Sequence, residues 1–298
     1  MEKYYSLNSY FKTKYGEKIG KLCLDGGFTC PNRDGTISNS GCVFCTKRGS
    51  GEFCGSIVRK DSIKNQIEIQ KSLQRKKWNV NKFFAYFQNF TNTYKPVDEL
   101  KVIYDEALTD ADVIGLSIAT RADSIKFDVL DLIKSYENNY EVWIELGMQT
   151  IHDNTLKFIN RGYDHKYFDR VAGQMVSNGF KIITHIIIGL PGETRKDMIE
   201  TFKYVADLHP FGVKIHSLYV DKYSELADIY EKENFKLLTK EEYINIVCDG
   251  LSILPKDIVI HRLTGDGDKN SLIAPKWIMN KISVIGGINK ELKKRECK

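Results

Sequence analysis

Stretches typical of buried strands alternate with stretches typical of amphipathic helices along most of this chain. Six apolar runs of strand length, several of them rich in Ile and Val, are separated by five helical patterns. Near-continuous apolar runs are typical of strands that are covered on both faces. The alternation therefore predicts βαβ units around a parallel sheet. The expected strands are 21–25, 82–88, 112–118, 141–146, 181–188 and 212–220, and the expected helices are 61–78, 97–107, 125–136, 166–178 and 195–208.

Six such units form an open or a closed β/α barrel. The chain has 298 residues, which is enough to bury a large core without disulfides. Its last part has a different pattern, with a helix over 240–254, a short strand over 257–263 and a helix over 271–282. We therefore expect an α/β barrel core over 1–222 and a small C-terminal α+β extension over 223–298.

Barrel enzymes carry their chemistry at the carboxyl ends of the strands, in the loops that lead into the helices. The unusual residues of this sequence fall at those positions. The first five strands are followed by Gly26–Cys30, by Gln88–Asn92, by Thr120 and Arg121, by Glu145–Gln149 and by Gly189–Glu193, and the sixth carries His216, Tyr219 and Lys222.

Five of the seven cysteines lie in the first 54 residues, and Cys30, Cys42 and Cys45 share one loop rich in Gly, Asn and Asp. Three interpretations are open from the spacing. The first is a structural zinc site with Cys54 as fourth ligand. The second is a set of inert or redox-active thiols, and the third is an iron–sulfur cluster held by three thiolates with one iron open. The position directly after the first strand favours the cluster, because a catalytic centre belongs there.

The sequence has no signal for secretion or for membrane insertion. The N-terminus lacks the apolar core of a signal peptide. The longest apolar stretch, 182–190, is far shorter than the ~20 residues that span a bilayer. We expect a cytoplasmic protein with no membrane partner, where thiols stay reduced and clustered cysteines bind metals or do redox chemistry more often than they form disulfides.

The first strand and its loop read Leu24-Asp25-Gly26-Gly27-Phe28-Thr29-Cys30-Pro31-Asn32-Arg33, followed by Gly41-Cys42-Val43-Phe44-Cys45. These segments, with supporting segments at 86–94, 145–152, 160–163, 189–193 and 261–266, resemble the radical S-adenosylmethionine (SAM) superfamily. More narrowly, they resemble its YhcC/YtqA-like branch, which is related to the radical SAM domain of the Elongator catalytic subunit. The resemblance implies a partial (β/α)6 barrel of the TIM type.

The resemblance also implies one 4Fe–4S cluster with Cys30, Cys42 and Cys45 as ligands, and SAM chelated by the open iron. Such a cluster reduces SAM, and the products are methionine and a 5′-deoxyadenosyl radical that takes a hydrogen atom from the substrate. The reductant would be an electron donor such as a flavodoxin or a ferredoxin. No catalytic residue is assigned beyond the cluster and SAM, and Cys54, which departs from the branch pattern, is not expected to be a ligand.

Contacts to SAM are carried over by position. Phe44 is expected near the adenine, with a core aromatic as the alternative. Gln88, Asn89 and Asn92 stand where many superfamily members have a Gly-Gly-Glu turn for the SAM amine, which this chain lacks. Arg161 resembles the arginine that pairs with the SAM carboxylate, with a surface arginine as the alternative. Further candidates are Thr120, Glu145, Gln149 and Gly189.

The formal charge of +5 is confined to residues 1–60, which hold ten Lys or Arg and five Asp or Glu, interleaved with aromatic residues. Basic side chains bind phosphates and aromatic rings stack on unpaired bases. We therefore expect this face beside the cysteine loop, as an RNA substrate would require, although solvated faces and core aromatics also explain the pattern.

The branch resemblance implies a tRNA substrate. Elongator modifies wobble uridine, and YtqA-like members are associated with the same base, where they act on the 5-carboxymethylaminomethyl side chain towards aminomethyl and methylaminomethyl uridine. The first hypothesis is a radical SAM enzyme with this activity. The alternatives are a radical SAM enzyme for a small metabolite or a protein side chain, and a zinc-stabilised RNA-binding protein without catalysis. The sequence does not indicate an oligomeric state.

Overall fold

A computed structural model describes residues 3–49, 61–233 and 235–296. The expected alternation of strands and helices is present. The strands are β1 (Ile19–Leu24), β2 (Lys82–Phe87), β3 (Val113–Thr120), β4 (Glu141–Gln149), β5 (Ile182–Ile188), β6 (Gly212–Ser217), β7 (Val220–Asp221), β8 (Val259–Arg262) and β9 (Leu272–Ala274). The helices are α1 (Leu7–Tyr15), α2 (Ile63–Trp78), α3 (Val97–Leu108), α4 (Phe127–Tyr136), α5 (Asp153–Phe158), α6 (His165–Ser177), α7 (Arg195–Leu208), α8 (Glu225–Glu233), α9 (Lys240–Ile253) and α10 (Lys281–Glu296).

Seven strands form one sheet in the order β1-β2-β3-β4-β5-β6-β8, while β7 and β9 pair separately and antiparallel. Each strand of the sheet from β1 to β6 lies beside the next one in sequence, as in a β/α barrel. The predicted α/β fold class is confirmed. A seventh strand, β8, comes from the C-terminal part of the chain and pairs in parallel with β6.

The chain divides into two compact units. The first unit comprises Asn8–Asn39 and Arg48–Gly147, and the second comprises Met1–Leu7, Ser40–Lys47 and Met148–Lys298. The first unit therefore contains β1, β2, β3 and most of β4, and the second contains β5, β6 and β8. The expected domain boundary at residue 222 stays a prediction.

In the first unit, three glutamines of α2 bind the backbone of the edge strand β1. Gln66, Gln70 and Gln74 are four residues apart, so they lie on one face of the helix. Gln66 Nε2 donates to the carbonyl of Asp25 over 2.9 Å, and the amide of Cys23 donates to Gln70 Oε1 over 2.7 Å. Gln74 Nε2 donates to the carbonyl of Lys21 over 2.6 Å. The side chains thus replace the partner strand that β1 lacks on that edge.

At the amino end of β4, one buried carboxylate binds side chains of α1. Glu141, the first residue of β4, accepts hydrogen bonds from the hydroxyls of Tyr10 and Tyr15, from Lys14 Nζ and from Trp143 Nε1. Burial, and then the bond to Glu141, raise the pKa of Tyr15, so this phenol stays a donor. The indole of Trp143 also stacks on Phe84, with ring centroids 4.1 Å apart.

The second unit has its own core around β5 and β6, which pair in parallel. The helices α7 and α9 both begin with a capping box, in which Thr194 and Asp197, or Thr239 and Glu242, bond reciprocally. The amide of Ile260 in β8 donates to the carbonyl of Tyr5 over 2.8 Å, which ties the start of the chain to this unit.

The expected helix over 271–282 is wrong. The chain there forms β9 and then a short 3₁₀ turn, and α10 begins only at Lys281. Pro275 explains the difference, because proline lacks the amide hydrogen and disfavours helical geometry at the preceding residue. The side chain of Asn280 then accepts from the amide of Ser283 over 3.0 Å and starts α10. The helices α1, α5 and α8 were not expected from the sequence.

Candidate active site

Cys30 lies in the loop that follows β1 in the first unit. The carboxylate of Asp25 accepts from the amide of Gly27 over 2.9 Å and bends the chain away from the strand. The carbonyl of Cys30 then accepts from the amides of Arg33 and Asp34 over 2.8 and 3.1 Å. The chain therefore turns directly after Cys30, and its thiol is half-buried.

Cys42 and Cys45 lie in the second unit, where hydrogen bonds fix the segment between them. The amide of Cys45 donates to the carbonyl of Cys42 over 2.9 Å, which closes a tight turn. The amide of Val43 donates to the carbonyl of Ile159, and the carbonyl of Val43 accepts from the amide of Leu226. Both thiols are half-buried, as a metal ligand that must also be reached by a cofactor needs to be.

Gly41 and Asn160 position this cysteine segment. Gly41 has φ of 83°, a conformation that favours glycine, and it directly precedes Cys42. Asn160 Nδ2 donates to the carbonyl of Gly41 over 2.6 Å and to the hydroxyl of Ser40 over 3.0 Å. The role of Asn160 was missed from the sequence, although it lies in the quoted segment at 160–163.

Two other cysteines differ from this set. Cys23 is half-buried on β1, and Cys248 is buried in α9. Burial raises the pKa of the Cys248 thiol to about 11, so it stays protonated at neutral pH and is a poor metal ligand. Cys54 lies outside the described residues.

The end of β2 presents buried acceptor atoms that have no hydrogen-bond partner. They are Asn89 Oδ1, Thr91 Oγ1 and Asn92 Oδ1. The other end of the Asn92 amide is fixed, because Nδ2 donates to the carbonyl of Ala119 over 2.8 Å. Unpaired acceptors inside a protein are costly and are rare without a ligand or water. They fit a bound ammonium group such as the amine of SAM, at the place where the sequence predicts it.

Two neighbours of these acceptors, Gln88 and Phe90, are constrained by the surrounding backbone. Gln88 is half-buried, and its amide lies 3.4 Å from the carbonyl of Leu24. Phe90 has φ of 60°, which is unusual for a bulky residue and indicates a constrained loop. Thr91 was missed as a candidate, although it stands between two residues that the sequence singled out.

At the end of β3, Thr120 and Arg121 have partners within the first unit. The hydroxyls of Thr120 and Thr93 lie 2.6 Å apart. The guanidinium of Arg121 bonds both carboxylate oxygens of Asp123 over 2.9 and 2.7 Å, and Arg121 is only 8% exposed. In this bidentate pair the carboxylate of Asp123 balances the positive charge of Arg121.

Glu145, on β4, is buried and has a half-buried counter-ion. Lys21 Nζ lies 2.9 Å from Glu145 Oε1, and the hydroxyl of Ser117 donates to the same oxygen. Lys21 Nζ also lies 4.2 Å from the centroid of the Tyr86 ring.

Arg161 is a buried arginine, and the surface alternative is wrong because only 2% of the residue is exposed. Its Nη1 donates to the carbonyl of Met148 over 3.1 Å and to Gln149 Oε1. Its Nη2 donates to the hydroxyl of Tyr163. Gln149 has φ of 65°, a left-handed conformation at the last residue of β4. The structure thus brings Arg161 and Gln149 together in the second unit, as two predicted SAM-binding residues.

Gly189 directly follows the fifth strand and has φ of 92°. A side chain there would be strained and would lie within 3.0 Å of Leu238. Phe44 packs partly buried against the apolar cluster around Val43 and Leu190. Glu193, four residues after Gly189, accepts a hydrogen bond from the hydroxyl of Thr150 over 2.5 Å.

The basic and aromatic face of the first unit is smaller than the sequence indicates. Lys14 and Lys21 bind Glu141 and Glu145, and Arg75 binds Asp112 over 2.7 Å. The exposed remainder includes Trp78, whose ring has Lys18 Nζ at 5.2 Å and Lys77 Nζ at 4.7 Å. Lys18 directly precedes β1, whereas Cys30 follows its carboxyl end, so this group does not lie beside the loop of Cys30.

Comparison with known families gives two matches. The profile of the radical SAM superfamily matches residues 34–205, and the profile of the radical SAM C-terminal domain matches residues 210–294. The first match alone spans more than half of the chain. In the described part of the chain, none of the helices is long and apolar enough to cross a membrane.

Three relatives are informative. "Uncharacterized protein YtqA" of Bacillus subtilis is 42% identical over 294 residues, which are 99% of this chain and 91% of that protein. "Protein YhcC" of Escherichia coli is 36% identical over 269 residues, 90% of this chain and 85% of that protein. The "tRNA uridine(34) acetyltransferase" of Methanocaldococcus jannaschii is 30% identical over 126 residues, 41% of this chain and 23% of that protein.

Among solved structures, the archaeal Methanocaldococcus infernus Elp3 with an N-terminal deletion is similar, with a TM-score of 0.71. The alignment covers 94% of this chain and 64% of that chain at 16% sequence identity. A likeness at this identity concerns the fold, and it agrees with the partial barrel that the sequence predicts. The two curated relatives that match nearly the whole chain also confirm the predicted branch.

Proposed function

This chain belongs to the radical SAM superfamily, and from that premise we propose that it modifies the side chain of wobble uridine in tRNA. Membership of this family implies that the cofactors of the enzyme are a 4Fe–4S cluster and SAM. The single observation that supports the substrate is the similarity to proteins that include a tRNA uridine(34) acetyltransferase. The reaction would convert the 5-carboxymethylaminomethyl group towards aminomethyl and methylaminomethyl uridine.

Cys30, Cys42 and Cys45 would hold the cluster. Their half-burial suits ligands that shield a metal centre and leave one side open. When bound and reduced by an electron donor such as a flavodoxin or a ferredoxin, the cluster and SAM supply a 5′-deoxyadenosyl radical. The remaining chemistry of this chain is binding, orientation and exclusion of water.

The SAM amine would bind at the end of β2. Asn89 Oδ1, Thr91 Oγ1 and Asn92 Oδ1 are buried acceptors without partners. An ammonium group donates up to three hydrogen bonds, so it suits this set. Because Asn92 Nδ2 is fixed on Ala119, its Oδ1 is held in one orientation. Gln88 would support this loop.

The SAM carboxylate would bind at Arg161. A guanidinium binds a carboxylate through two parallel hydrogen bonds. Gln149 and Tyr163 hold the guanidinium in place before any ligand binds, which reduces the entropy lost on binding. We propose that Phe44 and Gly189 border the adenine, and that Glu145 and Thr120 act from the sheet on the same cofactor.

A second candidate function has the same chemistry and another substrate, a small metabolite or a protein side chain. Membership of the superfamily supports it as much as it supports the tRNA substrate. The third hypothesis, a zinc-stabilised RNA-binding protein, is disfavoured because a radical SAM profile matches 34–205.

The experiment that tests the tRNA substrate is nucleoside mass spectrometry of tRNA from a strain that lacks the gene. The proposal expects 5-carboxymethylaminomethyluridine to accumulate and the methylaminomethyl forms to fall, with recovery when the gene is restored. A Cys42→Ala gene is the matched control, because it should not restore the profile. An unchanged profile of wobble nucleosides would overturn the tRNA proposal and favour the second candidate.

A further inference from the structure

The chain that follows β6 in the second unit carries an exposed tyrosine near the segment of Cys42 and Cys45. Tyr223 lies between β7 and α8, and 62% of it is exposed. Three residues later, the amide of Leu226 donates to the carbonyl of Val43 over 2.8 Å, and Val43 lies between the two cysteines. Since consecutive Cα atoms are about 3.8 Å apart, the Cα of Tyr223 lies within about 11 Å of that of Leu226. Tyr223 is therefore a neighbour of the segment that would hold the cluster.

The turn of Tyr223 also lies at the end of the strands where barrel enzymes contact their substrates. β6 ends at Ser217 and β7 begins at Val220, so this turn follows the carboxyl end of β6. Active sites of β/α barrels are built from the loops at that end. A side chain exposed there is placed to meet a substrate rather than to support the sheet.

A buried carboxylate fixes the turn that presents Tyr223. Asp221 is only 1% exposed, and it accepts hydrogen bonds from the amide of Tyr223 over 2.9 Å and from the hydroxyl of Ser271. The amide of Ser224 donates to the carbonyl of Asp221 over 3.0 Å, and the amide of Lys222 donates to the carbonyl of Ser271 over 2.9 Å. The turn is thus ordered before a ligand binds, which reduces the entropy lost on binding.

The same turn combines the exposed ring with a cation. Lys222 Nζ lies 4.8 Å from the centroid of the Tyr223 ring and donates to the carbonyl of Asn270 over 3.0 Å. An ammonium group has three donors, so this one can bind a further acceptor. Two aromatic residues that follow in the chain, Tyr230 and Phe235, instead pack partly buried against the apolar cluster around Val43. Tyr223, by contrast, leaves most of its surface open to a ligand.

We propose that Tyr223 and Lys222 bind a nucleotide beside the target uridine, with the ring of Tyr223 stacked on its base and Lys222 on a phosphate. Aromatic side chains stack on unpaired bases, and lysines bind the phosphate backbone. The assignment rests on the proposed function and names the part of the substrate that the same site recognises. That part is a single-stranded stretch of an anticodon loop, whose bases can be splayed out and stacked on protein rings.

The location of the contact favours RNA over a small metabolite. An anticodon loop continues on both sides of its target nucleotide, so it extends from the reacting group to a ring on a neighbouring loop. A small metabolite ends close to its reacting group. The exposed ring with a lysine beside it therefore matches a base and its phosphate better than it matches a compact substrate.

The test measures the affinity of the reconstituted holoenzyme, with SAM present, for a fluorescently labelled anticodon stem-loop by anisotropy. We expect Tyr223→Ala to weaken binding about tenfold, as for the loss of one stacked base. Tyr223→Phe should bind like the wild type, because its ring still stacks. Lys222→Met should reduce the slope of log affinity against log salt concentration by about 0.7, as for one phosphate contact, whereas Tyr223→Ala should leave that slope unchanged.

The matched control is Trp78→Ala. Trp78 is also an exposed ring with a lysine beside it, since Lys77 Nζ lies at 4.7 Å, but it ends α2 shortly before β2 begins and so lies at the amino end of that strand. This variant should bind the stem-loop like the wild type, and Tyr223→Ala should keep the wild-type iron content and SAM affinity.

Four results overturn the contact. They are equal affinity of the wild type and Tyr223→Ala for the stem-loop, a loss in Tyr223→Phe as large as that in Tyr223→Ala, an equal loss in Trp78→Ala, and a loss of SAM affinity in Tyr223→Ala. If the wobble nucleosides are unchanged in the gene deletion but the affinity for the stem-loop still depends on Tyr223, the proposed function fails and the RNA contact stands. If the nucleosides change and the affinity does not depend on Tyr223, the proposed function stands and the contact fails.

Discussion

Lys21 Nζ lies 2.9 Å from Glu145 Oε1, so that a lysine of β1 neutralises a carboxylate of β4 inside the first unit. The side chain of Glu145 is fully buried and that of Lys21 is 18% exposed. Ser117 donates to the same carboxylate oxygen. The ion pair joins two strands that are separated by β2 and β3 in the sheet.

Removing one partner of this pair should destabilise the protein. The Lys21→Met variant removes the positive charge that lies 2.9 Å from the buried Glu145 carboxylate, and we expect the free energy of unfolding to fall by about 3 kcal/mol. The double variant Lys21→Met/Glu145→Gln should recover most of that loss, because the amide still accepts from Ser117. Urea denaturation measures both, and a single variant as stable as the wild type would contradict the prediction.

The cluster ligands are tested by iron content. Replacing Cys30, Cys42 or Cys45 by alanine should reduce the iron of the reconstituted protein from about four per chain to near zero, with loss of its brown absorption. Cys23→Ala is the matched control, since Cys23 is also half-buried but lies on β1. Retention of the cluster in any one of the three variants would remove that cysteine from the ligand set.

Arg161 is tested by SAM affinity. Its guanidinium carbon lies 4.1 Å from the centroid of the Tyr163 ring, so the group is fixed before SAM binds. We expect Arg161→Met to weaken SAM binding at least about tenfold while the iron content stays unchanged. Arg170→Met on the exposed face of α6 should bind SAM like the wild type. Equal SAM affinity in both variants would assign Arg161 a structural role alone.

The buried carboxyl group of Glu193 should make the free energy of unfolding depend on pH. Burial raises the pKa of its carboxyl above the ordinary value of 4.5, although the bond from Thr150 and the nearby His152 act in the opposite direction. A raised carboxyl pKa means that folding costs free energy once the group must ionise. This cost is absent below the unfolded-state pKa, grows as the pH rises through the folded-state pKa, and is complete above it.

The Glu193→Gln variant should therefore be more stable than the wild type at pH 7, and the difference should vanish near pH 4. Its amide oxygen still accepts from Thr150, so the hydrogen bond is preserved. Thermal unfolding at the two pH values measures the difference, and Glu231→Gln on α8 serves as the control. A stability difference that is the same at both pH values would exclude ionisation as its cause.

The sequence predicted the sheet well because its strands have strong local signals. Apolar runs of strand length, such as Ile182–Ile188, indicate buried strands, and their spacing implies βαβ units. The helix expected at 271–282 failed for a local reason, the helix-breaking Pro275. The helix α1 was missed because its stability depends on Glu141, which lies more than 120 residues away.

In the candidate site, too, features with a local sequence signal could be predicted and features that depend on distant contacts could not. Cys30, Cys42 and Cys45 could be predicted as ligands because they lie close together in the sequence, in a segment that resembles the family pattern. The position of Asn160 on the cysteine segment could not, because a contact over 119 residues leaves no periodic signal.

One measurement tests the central claim most directly. The reconstituted enzyme is incubated anaerobically with a reductant, SAM and tRNA from a strain that lacks the gene, and 5′-deoxyadenosine and tRNA nucleosides are quantified together. We predict that 5′-deoxyadenosine forms in a tRNA-dependent way while 5-carboxymethylaminomethyluridine is consumed. Formation of 5′-deoxyadenosine that is independent of tRNA, with all wobble nucleosides unchanged, would contradict the account.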